Sequence, residues 1–133
     1  MKPPEAEPAA ESPFKGKTGV TRMINALSYS TDGLAAAWRY EDAFRIEVML
    51  AAVLIPLACW APITPVERAI LIGAVFVVLI VELVNSSIEA AVDRISLERH
   101  PLAKRAKDGG SAAVMVSLVM CASVWAIILF PRL

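Results

Sequence analysis

Residues 69–81 read AILIGAVFVVLIV, an uncharged run that passes without any turn signal into VELVNSSIEAAVDRIS at 81–96. One helix must therefore carry both the apolar residues and the carboxylates. At about 100° per residue, Glu82, Asn85, Ser86, Glu89 and Asp93 all fall within an arc of roughly 100° on one side of that helix. The outcome is an acidic stripe on a membrane-type helix.

A carboxylate at membrane depth costs roughly 2.5–3.5 kcal/mol on insertion scales, so Glu82 has to return something for its place. Polar residues at such depth also serve as hydrogen-bonding glue between helices, or sit where headgroups begin. Glue needs one or two polar groups, and this stripe has five. Composition agrees with the membrane class: 57% of the 133 residues are apolar, too many for an ordinary soluble domain of this size. A formal net charge of zero excludes the strongly basic footprint of a nucleic-acid binder. Cys59 and Cys121 lie in apolar runs, away from any second Cys or His at ligand spacing, and read as small apolar residues.

Along the chain, residues 1–18 combine prolines and charge with almost no apolar bulk and read as a disordered tail. Gly16-Lys17-Thr18 imitates the end of a phosphate loop, but the earlier glycine of that motif would fall on Glu11 and no strand precedes it. The tail lacks the apolar core of a cleavable signal peptide. From about 19 to 40, Val20, Met23, Ile24, Leu27, Leu34 and Trp38 recur at mostly helical spacing with charges between them. That pattern predicts an amphipathic helix in the membrane surface, with Gly33 as the place where it bends or breaks. Residues 19–133 are expected to form a single membrane domain.

Three spans are predicted, at about 43–63, 69–92 and 109–131. The first is short before it recruits residues 43–47 at its boundary; it tolerates Pro56 and ends at Trp60, with a re-entrant segment as the alternative. Pro62–Arg68 is read as a turn, and Pro101 as a break within the basic connector Arg94–Asp108. Lys and Arg collect in the N-terminal region and in that connector, whereas the first connector has only Arg68. The positive-inside rule then puts the N-terminus and the stripe's polar end in the cytoplasm, and the Pro62–Arg68 turn and the C-terminus outside; the membrane expected is the inner, cytoplasmic one. Three spans look too few to bury five polar residues within one subunit, so self-association is expected as well.

An anionic stripe beside a lysine-rich connector suits phosphoryl transfer to a lipid hydroxyl. Carboxylates hold Mg²⁺, which takes few protein oxygens plus substrate phosphates; another carboxylate accepts the hydroxyl proton; Lys107 neutralises phosphate charge. From the residues alone, a cation-coupled transport component and a non-enzymatic assembly protein remain open beside a lipid-modifying enzyme.

The stretch Glu82-x-x-Asn85-Ser86-x-Ile88-Glu89-x-x-x-Asp93-Arg94, followed by Lys107-Asp108-x-Gly110-Ser111-Ala112-Ala113, resembles the signature of the small integral-membrane diacylglycerol kinases of bacteria, a family that also contains undecaprenol kinases. The resemblance extends from Gly19 to Phe130, through Thr21-Arg22, Gly33–Trp38 and Glu41-x-Ala-Phe-Arg-x-Glu47. It implies an all-α homotrimer of subunits with a surface helix and three transmembrane helices, phosphorylating a membrane lipid alcohol with ATP and Mg²⁺. Carried over by position, it implies Glu82 as the proton-accepting base supported by Asn85, and Glu41 and Glu89 as metal ligands. It further implies Arg22, Tyr29, Glu41, Glu89, Glu98, Arg99, His100, Lys107 and Asp108 at the nucleotide, and Arg22, Glu82 and Ser111 at the lipid. Ser87 and Gly109 depart from the family pattern, and Gly109-Gly110 is expected to loosen the third span's start. The wording of the stripe is closer to the diacylglycerol branch than to the undecaprenol one.

Overall fold

The computed structural model describes residues 19–95, 98 and 100–132, so the tail at 1–18 lies outside the described residues. The described elements are helical: α1 (Val20–Tyr40), α2 (Asp42–Trp60), α3 (Pro65–Ile95), α4 (Pro101–Leu129) and a closing 3₁₀ turn, Phe130–Arg132. α2, α3 and α4 are each long and apolar enough to cross a membrane. One compact unit ends at Leu34 and a second begins at Ala35.

In the first unit, Gly19 takes a left-handed backbone (φ 76°), and its carbonyl accepts from the amides of Arg22 and Met23 as the helix opens. Ser30 and Thr31 fold their hydroxyls back onto the carbonyls of Ala26 and Ser28. Of the bend or break expected at Gly33, the break does not occur: α1 continues through it. A lone helical glycine costs only about 1 kcal/mol relative to alanine, which need not break a helix.

In the second unit, α3 packs on both α2 and α4. The buried residues explain why. On α3, Leu71, Val75, Val78, Glu82 and Asn85 recur at alternating steps of four and three, and on α2 Phe44, Glu47, Ala51 and Ala58 lie on a single side. On α4 the matching side holds Gly110, Ser117 and Cys121. Such alternation is the seam of helices packed side by side with shallow crossing. Ala51, Ala74, Val75, Val78 and Cys121 form the core, and the indole of Trp125 donates to the Leu71 carbonyl at 3.3 Å. Small residues at the seam let the backbones approach closely, as membrane helices require. Large apolar side chains such as Met49, Val53, Phe76, Ile80, Val116 and Ile127 stay exposed, as expected of surfaces that meet lipid.

Helix ends are fastened locally. Arg45 donates to the carbonyls of Trp38 and Arg39 and pairs with Asp42, closing the α1–α2 corner around the extended residue Glu41. Thr64 and Glu67 form a reciprocal capping box at the start of α3, and Arg68 donates to Ala58 and Ala61 at the end of α2. Two boundaries differ from expectation. Pro65 begins α3 inside what reads as a turn, and Pro101 begins α4, so the basic residues 104–107 lie on helix. In both cases proline occupies the first helical turn, where its missing N–H costs nothing. α4 also runs unbroken through Gly109-Gly110.

Candidate active site

With 31 residues, α3 is about 46 Å long at 1.5 Å per residue, well beyond a hydrocarbon core of roughly 30 Å. Its surplus is the polar end, and the acidic stripe begins where the apolar seam stops. Glu82 is 4% exposed and Asn85 9%, both on the side that Leu71, Val75 and Val78 bury lower down. Glu89 is half-buried and Asp93 exposed. The stripe therefore grades from packed to open along the helix.

Of the five stripe residues, a single chain buries Glu82 and Asn85, while Ser86 and Glu89 are half-buried and Asp93 is exposed. α2 and α4 flank α3 on two sides, and the seam residues opposite the acids are small. Burial alone thus gives no argument for self-association at these two positions.

The hydrogen-bonding pattern orders the row. Asn85 Nδ2 donates to Glu89 Oε1 at 3.2 Å, so the amide holds Glu89 rather than Glu82. One turn further, Asp93 Oδ1 meets Lys107 Nζ of α4 at 2.6 Å, which ties the polar ends of the two helices together. Asp108 pairs with Lys104 on its own helix. Glu41, half-buried at the α1–α2 corner, and Glu89 both act electrostatically on Glu82. Four acids thus converge on this end: Glu41 and Glu47 from the α2 side, Glu82 and Glu89 from α3.

Glu47 is the residue that sequence reasoning passed over. It reads as a boundary charge of the first span, yet it is 8% exposed, interacts with Glu82, and has one carboxyl oxygen without a hydrogen-bond partner among the described residues. It caps an apolar crevice formed with Leu50, Leu54, Val78, Leu79 and Leu118. Its spacing from Phe44 and Ala51 was the available signal, because all three fall on one side of α2.

The remaining expected site residues are placed as follows. His100 caps α4, its Nδ1 accepting from the Leu102 amide, and Glu98 lies on the bend before it. Arg99 lies outside the described residues. Ser111 is exposed on the first turns of α4. Arg22 and Tyr29 are exposed on α1, seven residues apart and so on one side of it. Among the described residues no three or more His, Cys, Asp or Glu side chains make a metal cage, so any divalent ion here needs oxygens from a ligand as well.

Comparison with known proteins decides the family. The family model described as prokaryotic diacylglycerol kinase matches residues 28–129. The chain belongs to this family. A Pseudomonas aeruginosa protein named diacylglycerol kinase is 55% identical over 118 residues, which is 89% of this chain and 96% of that one. The Escherichia coli K12 diacylglycerol kinase is 47% identical over 115 residues, 86% of this chain and 94% of its own. A Haemophilus influenzae diacylglycerol kinase is 47% identical over 113 residues, 85% and 96% respectively. Membership of the diacylglycerol kinase family together with three long apolar helices makes the chain a multi-pass membrane enzyme.

Proposed function

We propose that the chain transfers the γ-phosphoryl group of ATP to the free hydroxyl of 1,2-diacylglycerol, giving phosphatidate, at the cytoplasmic face of an inner membrane. The observation that carries this reading is the graded row Glu82, Asn85, Glu89, Asp93 on α3, closed by Lys107 of α4. A buried carboxyl on the apolar side and a lysine on the polar side match a reaction between a greasy alcohol and a water-borne nucleotide. The relatives that share the chain's length carry the name diacylglycerol kinase.

Each residue then has a task. Glu82 accepts the hydroxyl proton as the alcohol oxygen bonds to the γ-phosphorus and the bond to the β-phosphate oxygen breaks, releasing ADP. Lys107, steadied by Asp93, offers positive charge to the phosphates. Glu41 and Glu89 fit Mg²⁺, which binds through one or two carboxylates plus substrate phosphates, and Asn85 orients Glu89 from behind. The metal, when bound, neutralises charge that develops on the transferred group. Tyr29 and the segment Glu98–Asp108 are assigned to the nucleotide; Arg22 and Ser111 are assigned to the substrates, with the crevice beneath Glu47 available to an acyl chain. α1 is assigned to the membrane surface, since Val20, Met23, Ile24 and Leu27 are more than half exposed there. A homotrimer is the assembly that family resemblance implies.

Purified protein in mixed micelles with labelled ATP, given dioleoylglycerol and undecaprenol side by side, tests the reading. Preferential labelling of the diacylglycerol is expected; preferential labelling of the polyprenol would move the chain to the family's other activity, and labelling of neither would overturn it.

A further inference from the structure

Gly110 lies on the buried side of α4, against the polar end of α3. A Cβ built there would overlap Asn85 Oδ1, with Asn85 Cγ 3.2 Å and Asn85 Cα 3.8 Å away. The conflict is confined to the amide group of one side chain, Oδ1 and the tight Cγ behind it. The distance to Asn85 Cα is ordinary van der Waals contact, so a methyl group at Gly110 fits between the helix backbones and displaces only the Asn85 amide.

Asn85 has two ends and two neighbours. Its Nδ2 donates to the Glu89 carboxylate, an acceptor only, so Oδ1 is the end turned toward α4. Oδ1 is buried and has no hydrogen-bond partner among the described residues. The bare Cα of Gly110 leaves it room. Gly109, next in sequence, has nothing within 4 Å of its own built Cβ. Two adjacent glycines in one helix thus have unlike surroundings.

We propose that Gly110 is a positioning residue: by lacking a side chain it seats the Asn85 amide between α3 and α4, and through Asn85 it aims the Glu89 carboxylate. The inference rests on the assignment of Glu89 to divalent metal at the nucleotide. It makes α4 a participant in metal binding without contributing a ligand.

Four variants test it: Gly110→Ala, Gly109→Ala, Asn85→Ala and the double variant Gly110→Ala/Asn85→Ala. Each is purified in micelles and measured for kcat with ATP and dioleoylglycerol. Each is also measured for its unfolding midpoint, and for Mn²⁺ affinity by calorimetry in the presence of a non-hydrolysable ATP analogue. Gly110→Ala is expected to lower both kcat and Mn²⁺ affinity by about 10–100-fold, the usual cost of disturbing a residue behind a metal ligand, while its unfolding midpoint holds or rises. Gly109→Ala should match wild type. The double variant should be no worse than Asn85→Ala alone, because both changes act through one amide. Wild-type metal affinity in Gly110→Ala would overturn the inference, as would losses that multiply in the double variant. Wild type without turnover would overturn the kinase reading alone, since the Mn²⁺ comparison between the two alanine variants still decides the role of Gly110.

Discussion

Glu47 offers the sharpest test of how the buried acids are held. It is 8% exposed, faces an apolar crevice, has an unpartnered carboxyl oxygen among the described residues, and lies within electrostatic reach of Glu82. A buried polar group left without a partner costs about 1–3 kcal/mol, and more if charged. Methionine has nearly the same length, carries no charge and suits the surrounding Leu50, Leu54 and Leu118. Glu47→Met should therefore stabilise the fold by about 1–3 kcal/mol, since it replaces an unsatisfied acid by an apolar side chain of similar volume. Denaturant unfolding of purified protein in micelles, followed by tryptophan fluorescence, reads the change directly. The same variant should lose kinase activity, because an acid kept at such expense beside Glu82 is retained for function. A destabilisation of comparable size would refute the reasoning, for it would mean that Glu47 is held by an interaction worth more than its burial costs.

The Leu71 side chain is fully buried, and Leu71→Ala should cost about 2–5 kcal/mol in the same unfolding assay. Thr64→Ala removes a hydroxyl from the α3 capping box and should cost about 1 kcal/mol without touching kcat, a contrast that separates helix capping from chemistry. The Lys107–Asp93 pair is open to water and adds little to stability. Lys107→Met should instead raise the KM for ATP and lower kcat, whereas Asp93→Asn should have a smaller effect in the same direction; equal activity of both variants with wild type would remove Lys107 from the site.

The acidic stripe was legible in the sequence because a single period relates its members. Residues 82, 85, 89 and 93 share a side of any helix, whatever packs on it. The three spans were legible for a similar reason, since length and lack of charge within one segment suffice. Glu47 escaped because its burial depends on what α3 presents opposite it, and a lone acid near the start of an apolar run looks like a boundary marker. Gly110 escaped in another way: it stands in the family signature where Gly109 does not, but the reason for a glycine there shows only in the approach of Asn85. Pro65 and Pro101 were read as interruptions, though proline serves equally as a first helical residue. Choosing between those roles needs the neighbouring caps, Thr64 with Glu67 in one case and His100 in the other.

The proposed transfer depends most on Glu82 acting as the base. Replacing it with glutamine keeps its shape and removes its capacity to take a proton. Turnover of labelled ATP with dioleoylglycerol by Glu82→Gln, set beside its affinity for a non-hydrolysable ATP analogue, tests that claim most directly. A fall in kcat of about 10²–10⁴-fold with nucleotide affinity preserved is predicted. Turnover close to wild type would contradict it.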